Sequence, residues 1–301
     1  MAQKPQMATN TLPRAGTLNA FIRSLRPRQW TKNLLVFSAP LFANTFDLHS
    51  LLITSAAFVA FCALSSAIYL INDVLDAEQD RHHPVKRFRP LAAGEVSVAQ
   101  LLAGAVVLVS LALGSAALIQ PKLLWFFFSY ITLQVLYNLK FKELVILDIM
   151  TLAAGFVLRA VAGAVAVSVA VSPWFVSSIG LISLFIAVEK RKSELRRMEE
   201  KAGNTRKALN VYSLDYLDKL GNTAAASSLI TYGLWTFQAS KTQWMMLTIP
   251  LVAYALFRYQ YLVWDSHRGE SPEDLLLSDH PLFLAIALWV LACFLILALD
   301  R

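Results

Sequence analysis

Apolar and polar positions along the chain separate into blocks. Nine stretches are long enough, or nearly so, to span a bilayer: 31–47, 51–72, 98–119, 122–139, 144–165, 170–189, 222–239, 243–263 and 281–299. About 20 apolar residues in a helix cross a hydrocarbon layer of roughly 30 Å. The pattern therefore predicts an all-α polytopic membrane protein with nine transmembrane helices. The first block is the weakest, because Pro40 and Asn44 interrupt it.

The connections divide by parity. Loops after helices 1, 3, 5 and 7 are short and nearly uncharged, whereas those after helices 2, 4, 6 and 8 are polar. Of the 27 Lys and Arg residues, 23 fall with the N-terminal tail and the even loops. Lys122, Lys241 and Arg301 fall on the opposite face, and Arg159 lies within a span. Cytoplasmic loops collect Lys and Arg, so the N-terminus and the even loops are expected in the cytoplasm and the chain in the inner (plasma) membrane. Residues 1–28 are polar and basic without an apolar h-region, which reads as a cytoplasmic tail before a membrane domain over 29–301.

Composition agrees. The 301 residues are 57% hydrophobic and 16% charged, against roughly 45–50% and about 25% in soluble domains. The net charge of +7 follows from the basic cytoplasmic loops, so the expected partner is the lipid bilayer and not nucleic acid. Cys62 and Cys293 lie in apolar runs without a CxxC pair, which argues against zinc and against a disulfide framework. Trp125 with Phe126, Phe127 and Phe128 reads as a set of interfacial or lipid-facing anchors.

The chemistry concentrates at the end of helix 2, in Asn72-Asp73-Val74-Leu75-Asp76-Ala77-Glu78-Gln79-Asp80. If the helix continues past Asn72, then Asp73, Asp76 and Asp80 share one face. Like charges on one face repel unless cations neutralise them. Carboxylates suit Mg²⁺, a hard ion that shares its shell with substrate phosphates, and Asn72 could add a carbonyl ligand. Directly downstream are Lys86, Arg87 and Arg89, and cations beside acids suit a polyanion held between metal and guanidinium. His82 and His83 read as loop residues.

The string Asn-Asp-x-x-Asp-x-x-x-Asp followed by Arg89-Pro90-Leu91-x-x-Gly94 resembles the first Asp-rich motif of the UbiA superfamily of intramembrane prenyltransferases. The resemblance implies nine helices around a central cavity, capped by cytoplasmic loops, with a diphosphate held on Mg²⁺ by Asn72, Asp73, Asp76 and Asp80. It covers nearly the whole chain. Where most of the superfamily has a second acidic motif, this chain reads Glu189-Lys190-Arg191-Lys192. That departure suits a substrate with a further phosphate.

Four more segments are similar to one branch, the decaprenyl-phosphate phosphoribosyltransferases: Arg26 to Asn33; Tyr137 to Lys142; Asp148 with Ala153 to Gly163; and Ser271 to Asp274 with Asp279. Those enzymes transfer the 5-phosphoribosyl group of phosphoribosyl diphosphate (PRPP) to a polyprenyl phosphate. The resemblance implies catalytic roles for Asp73, Asp76, Asp80 and Asp148. It implies substrate contacts at Lys32, Asn72, Lys86, Arg87, Arg89, Tyr137, Lys140, Lys142, Arg159, Glu189, Lys190, Arg191 and Lys192. Asp148 and Arg159 share a face of helix 5 about three turns apart, so an internal ion pair is the alternative for both. A prenyltransferase acting on an aromatic acceptor is the competing function. A transporter is the alternative of another class, and homo-oligomerisation is left open.

Overall fold

The computed structural model describes residues 16–43, 47–83, 85–200, 209, 211–239, 243–266 and 272–299, with the side chains of 197–200, 266, 272 and 273 left aside. Most of the expected tail, part of the basic stretch after Arg196, Ser271 and Glu273 fall outside these limits. Among the described residues the fold is helical without strands. Its α-helices are α1 (Thr17–Ser24), α2 (Ser38–Phe42), α3 (Leu48–Leu75), α4 (Ala77–His82), α5 (Val98–Ile119), α6 (Leu123–Leu139) and α7 (Leu147–Ala166). They continue with α8 (Pro173–Glu200), α9 (Leu214–Ala239), α10 (Ile249–Ser266), α11 (Pro272–Ser278) and α12 (His280–Leu299).

Among the described residues, six helical spans are long and apolar enough to cross a membrane: Leu48–Leu75, Val98–Ile119, Leu147–Ala166, Pro173–Arg196, Gln243–Asp265 and His280–Leu299. Leu123–Leu139 is apolar but shorter. The expected 222–239 block sits inside the longer α9, which starts at Leu214. α8 also runs further than expected, through the basic motif to Glu200. Residues 189–192 therefore lie on a helix body, where successive side chains point in different directions.

The first block does not form a single α-helix. Pro27–Phe37 is a 3₁₀ segment, followed by the five-residue α2. A 3₁₀ helix has three residues per turn and aligns positions i and i+3, which puts Trp30, Asn33 and Val36 on one line. Trp30 Nε1 donates to Ser66 Oγ at 3.0 Å. Asn33 Nδ2 donates to Ser65 Oγ at 3.1 Å and to Cys62 Sγ at 3.3 Å, both on α3. Val36 meets α7 at Gly163, where an added Cβ would lie 1.9 Å from the Val36 carbonyl oxygen. The tight polar seam against α3 and the close backbone contact with α7 account for the narrow helix.

α3 packs on α5, α7 on α8, and α8 on α9. One apolar core joins α3, α5, α6 and α7 around Phe61, Leu64, Phe127 and Tyr130; another joins α8, α9, α10 and α12 around Phe185, Trp235 and Tyr259. Phe127 is therefore a core residue, its ring centroid 4.4 Å from that of Phe61 in a tilted pair, and not a lipid anchor. Its neighbours Trp125 and Phe128 are exposed, as an anchor role requires. Exposed Leu102, Val106, Val107, Leu111 and Leu118 on α5 leave an apolar outer face, the expected surface of a bilayer-embedded helix. The small residues of α7 are buried, including Ala153, Ala160, Ala162 and Ala164, in keeping with close helix packing.

Candidate active site

α3 passes Asn72 and pauses at Asp76, whose backbone (φ −91°, ψ −1°) lets the chain resume as α4. Hydrogen bonds bridge the pause, from Asp76 N–H to the Asn72 carbonyl and from Asp80 N–H to the Asp76 carbonyl, each 2.9 Å. Asp73 and Asp80 consequently stay on one side, and both are 2% exposed. Arg89 joins them: its Nη1 lies 2.6 Å from Asp80 Oδ2 and 3.4 Å from Asp73 Oδ1. A second guanidinium, Arg26, pairs with Asp73 and lies 4.8 Å above the Tyr69 ring. Arg26 stands in the left-handed region (φ 54°, ψ 59°) just before Pro27, a conformation costly for a residue with a Cβ. Asp76 is only partly buried and, among the described residues, forms no ion pair.

Asn72 links this cluster to a second one. Its Oδ1 accepts from Asn138 Nδ2 at 2.9 Å. The neighbouring Tyr137 accepts, through its hydroxyl oxygen, from Arg191 Nη2 at 2.9 Å. Arg191 is fully buried; its Nε donates to Asp148 Oδ2 at 2.5 Å and its Nη1 pairs with Glu194. Asp148, 1% exposed, also accepts from the Tyr212 hydroxyl at 2.8 Å. Tyr212 in turn accepts the N–H of Ile146 at 2.6 Å, and Ile146 has a positive φ of 71°. Burial foremost, and the bond to Asp148 besides, push the Tyr212 phenol above its usual range against the opposing bond from Ile146. Next to Arg191 on α8, Lys192 lies 3.2 Å from Glu189 Oε2 and 2.5 Å from Asp218 Oδ1. Gly221 on α9 leaves room for Glu189, whose Oε1 would stand 2.8 Å from a Cβ there.

The expected residues thus divide. Asn72, Asp73, Asp80 and Arg89 come together, and Tyr137, Asp148 and Arg191 form the linked second cluster, which Glu194 joins as a residue not expected there. Arg191 and Lys192, expected to contact substrate, have donors engaged within the protein by carboxylates and, for Arg191, the Tyr137 hydroxyl; a helix distributes adjacent residues onto different neighbours. Lys190 is half-buried and, among the described residues, in no ion pair. Lys32 bonds the side chain of Gln29. Lys86, Arg87 and Lys140 are exposed and Lys142 is half-buried, outside both clusters.

Arg159 is neither paired with Asp148 nor joined to these clusters by any described contact. Its Nε donates to Asn33 Oδ1 at 2.7 Å, Nη1 to the Gly155 carbonyl at 2.6 Å and Nη2 to the Tyr130 hydroxyl at 2.7 Å. It clamps the 3₁₀ segment to α6 and α7, while the internal ion pair of Asp148 is made with Arg191. Sequence reasoning missed Arg26, Asn138 and Tyr212 as members of the clusters. Arg26 and Asn138 stood in recognised segments, but Tyr212 carried no signal.

The donor chemistry fits a hard dication. Asp73 and Asp80 offer carboxylate oxygens that already converge on one cationic nitrogen, and Mg²⁺ needs one or two carboxylates beside substrate phosphates. Among the described residues, no three His, Cys, Asp or Glu side chains gather as a complete protein cage. A metal here would depend on oxygens from the substrate.

The sequence profile of the UbiA prenyltransferase family matches residues 34–277. A Corynebacterium glutamicum protein named decaprenyl-phosphate phosphoribosyltransferase is 36% identical over 288 residues, covering 92% of this chain and 86% of its own length. Its namesake in Mycobacterium tuberculosis is 36% identical over 287 residues, 93% and 95% of the two chains. Among solved structures, a UbiA homolog from Archaeoglobus fulgidus bound to GPP and Mg²⁺ superposes with a TM-score of 0.70 at 19% identity, over 93% of this chain and 99% of that one. That likeness concerns the fold. The family match covers most of the chain and agrees with the helical bundle, its apolar outer faces and the acidic end of α3: this is an integral membrane protein of the UbiA prenyltransferase family.

Proposed function

We propose that the chain transfers the 5-phosphoribosyl group of PRPP to a polyprenyl phosphate of the decaprenyl type and releases diphosphate, supplying a precursor for cell-envelope arabinan. Residues 29–301 form the catalytic domain in the plasma membrane, with the acidic end of α3 facing the cytoplasm. The observation that carries this reading is the pair of linked clusters. Two buried carboxylates face arginines at the end of α3, and the matching place on α8 offers Lys190, in no ion pair among the described residues, beside the internally paired Arg191 and Lys192. A donor with a diphosphate at C1 and a phosphate at C5 needs both kinds of ground.

An oxygen of the polyprenyl phosphate forms the new bond to C1 as the bond from C1 to the diphosphate breaks, and the diphosphate leaves with the electron pair. Mg²⁺ on Asp73 and Asp80, with Asn72 and Asp76 alongside, would neutralise charge on the departing diphosphate. The nucleophile is already an anion and needs no strong base. The chain's own task is to position and to stabilise charge. Arg89 and Arg26 stand beside the carboxylates to meet phosphate oxygens in a bidentate fork. Lys190, with Lys32 and Lys140 or Lys142, binds the remaining phosphates. Asp148 holds Arg191, and through it Tyr137, in place. The lipid tail lies in a groove between helices that opens to the bilayer.

Purified protein in detergent should release diphosphate only when PRPP, decaprenyl phosphate and Mg²⁺ are all present. Asp73→Asn should lower turnover by about 10²–10³-fold, the loss typical of removing a group that stabilises developing charge. Turnover with a prenyl diphosphate and an aromatic acceptor, and none with PRPP, would replace this reading by prenyl transfer.

A further inference from the structure

Asp73 and Asp80 are buried, but the guanidinium groups that cover them are not. The side chains of Arg26 and Arg89 are 28% and 27% exposed, against 3% for each carboxylate. The arginines therefore lie over the acids from the solvent edge. Arg26 is brought there by a strained backbone, which its turn sustains: its N–H donates to the Arg23 carbonyl at 3.2 Å, and its own carbonyl accepts from Gln29 at 2.9 Å. Strain of this kind concentrates where a side chain must be aimed. No described contact fastens the Arg26 guanidinium from the opposite side; Tyr69 offers only a ring face.

We propose that Arg26, with Arg89, is an exchangeable counter-cation that opposes binding of a divalent metal alone and favours binding of metal together with diphosphate. The inference rests on the reading of Asp73 and Asp80 as metal ligands. A guanidinium keeps its proton, so a dication approaching the Asp73 and Asp80 oxygens meets like charge and must displace at least one arginine. Without a phosphate, the displaced arginine loses its carboxylate and gains only water. With a diphosphate on the metal, its planar fork finds phosphate oxygens at the same place. Metal and diphosphate then bind with positive coupling, and Arg26 carries part of it.

The test is Mn²⁺ binding to the purified full chain, followed by electron paramagnetic resonance with and without inorganic diphosphate. Arg26→Gln should bind Mn²⁺ alone about tenfold more tightly than the unsubstituted protein, within the usual range of coupling between sites. The same variant should lose about tenfold of the gain that diphosphate confers. Arg26→Lys keeps the charge and loses the fork, so its affinity for Mn²⁺ alone should be unchanged and its gain from diphosphate reduced. Equal weakening of both affinities in a folded Arg26→Gln protein, as a merely structural role predicts, would overturn the proposal. Should Arg26→Gln fail to fold, the Arg26→Lys pattern decides, and an unreduced diphosphate gain there counts against it. Absence of Mn²⁺ binding in the unsubstituted protein, with diphosphate or without, would instead remove the metal reading itself and the proposal with it.

Discussion

Asp73 and Asp148 are both aspartates at 2% exposure or less, both near a helix end, and both paired with arginine. What faces them differs. Asp73 meets two arginines that are more than a quarter exposed. Asp148 meets Arg191, which is wholly buried and held from three sides by Asp148, Glu194 and Tyr137. A charge pair with one partner at the water's edge can be rearranged, because the released arginine is solvated. A pair with both partners buried cannot be opened without stranding a charge in low dielectric. The first cluster has the character of a binding site and the second that of a scaffold. Asn72 and Asn138, at 2.9 Å, connect the two.

The contrast is broken most directly at Arg191. Arg191→Ala leaves Asp148 and Glu194 without their shared cation and should destabilise the protein by about 3–5 kcal/mol. Denaturant or thermal unfolding in detergent would measure it. Arg89→Gln, where the cation stands at the solvent edge and its loss opens the carboxylates to water, should cost less than Arg191→Ala while depressing turnover. Equal stability losses in the two variants would erase the distinction between site and scaffold.

A smaller effect is expected where the 3₁₀ segment meets α7. Gly163→Ala would drive a methyl group into the Val36 carbonyl, a backbone atom that cannot swing away. Overpacking of this kind costs about 1–3 kcal/mol. Gly114 on α5 has open space around it, and Gly114→Ala should gain about 0.5–1 kcal/mol through helix propensity alone. Thermal unfolding of the two variants side by side would separate the close approach from a general intolerance of added bulk. Unchanged stability in Gly163→Ala would mean that the contact between segment and helix gives way freely.

The acidic end of α3 was legible because its cue is local: Asp73 and Asp80 sit seven residues apart on a continuing helix, and the backbone bonds at Asp76 preserve that register. Arg26 reaches Asp73 across 47 residues of sequence and by a positive φ. No helical period forecasts either. The run 190–192 was legible as charge but not as function, since burial and neighbours separate Arg191 and Lys192 into different ion pairs. The apolar block at 31–47 showed that this segment is embedded. Its conformation depended on polar partners on α3 and on Gly163, which lie far along the chain. Arg159 stands out as a charge within a span, and its partners, Asn33 and Tyr130, are neutral side chains that charge matching cannot find.

A smaller effect than that at Arg191 is expected at Tyr212, which ties the scaffold cluster to the start of α7. Its phenol is held above the usual range in the folded protein, and an unfolded tyrosine titrates near pH 10. Between those two values the folded state keeps a proton that the unfolded state has released, so stability falls as pH rises. The contribution is complete below about pH 10 and is lost progressively above it. Tyr212→Phe should be less stable by about 1–2 kcal/mol at pH 8, because Ile146 N–H loses its acceptor and Asp148 a donor. The same variant should fall less steeply between pH 10 and 11, since the titrating group is gone. Unfolding curves in detergent at those pH values would compare the slopes. Parallel slopes would mean that Tyr212 does not couple to folding in this range, and that Arg191 alone holds Asp148 in place.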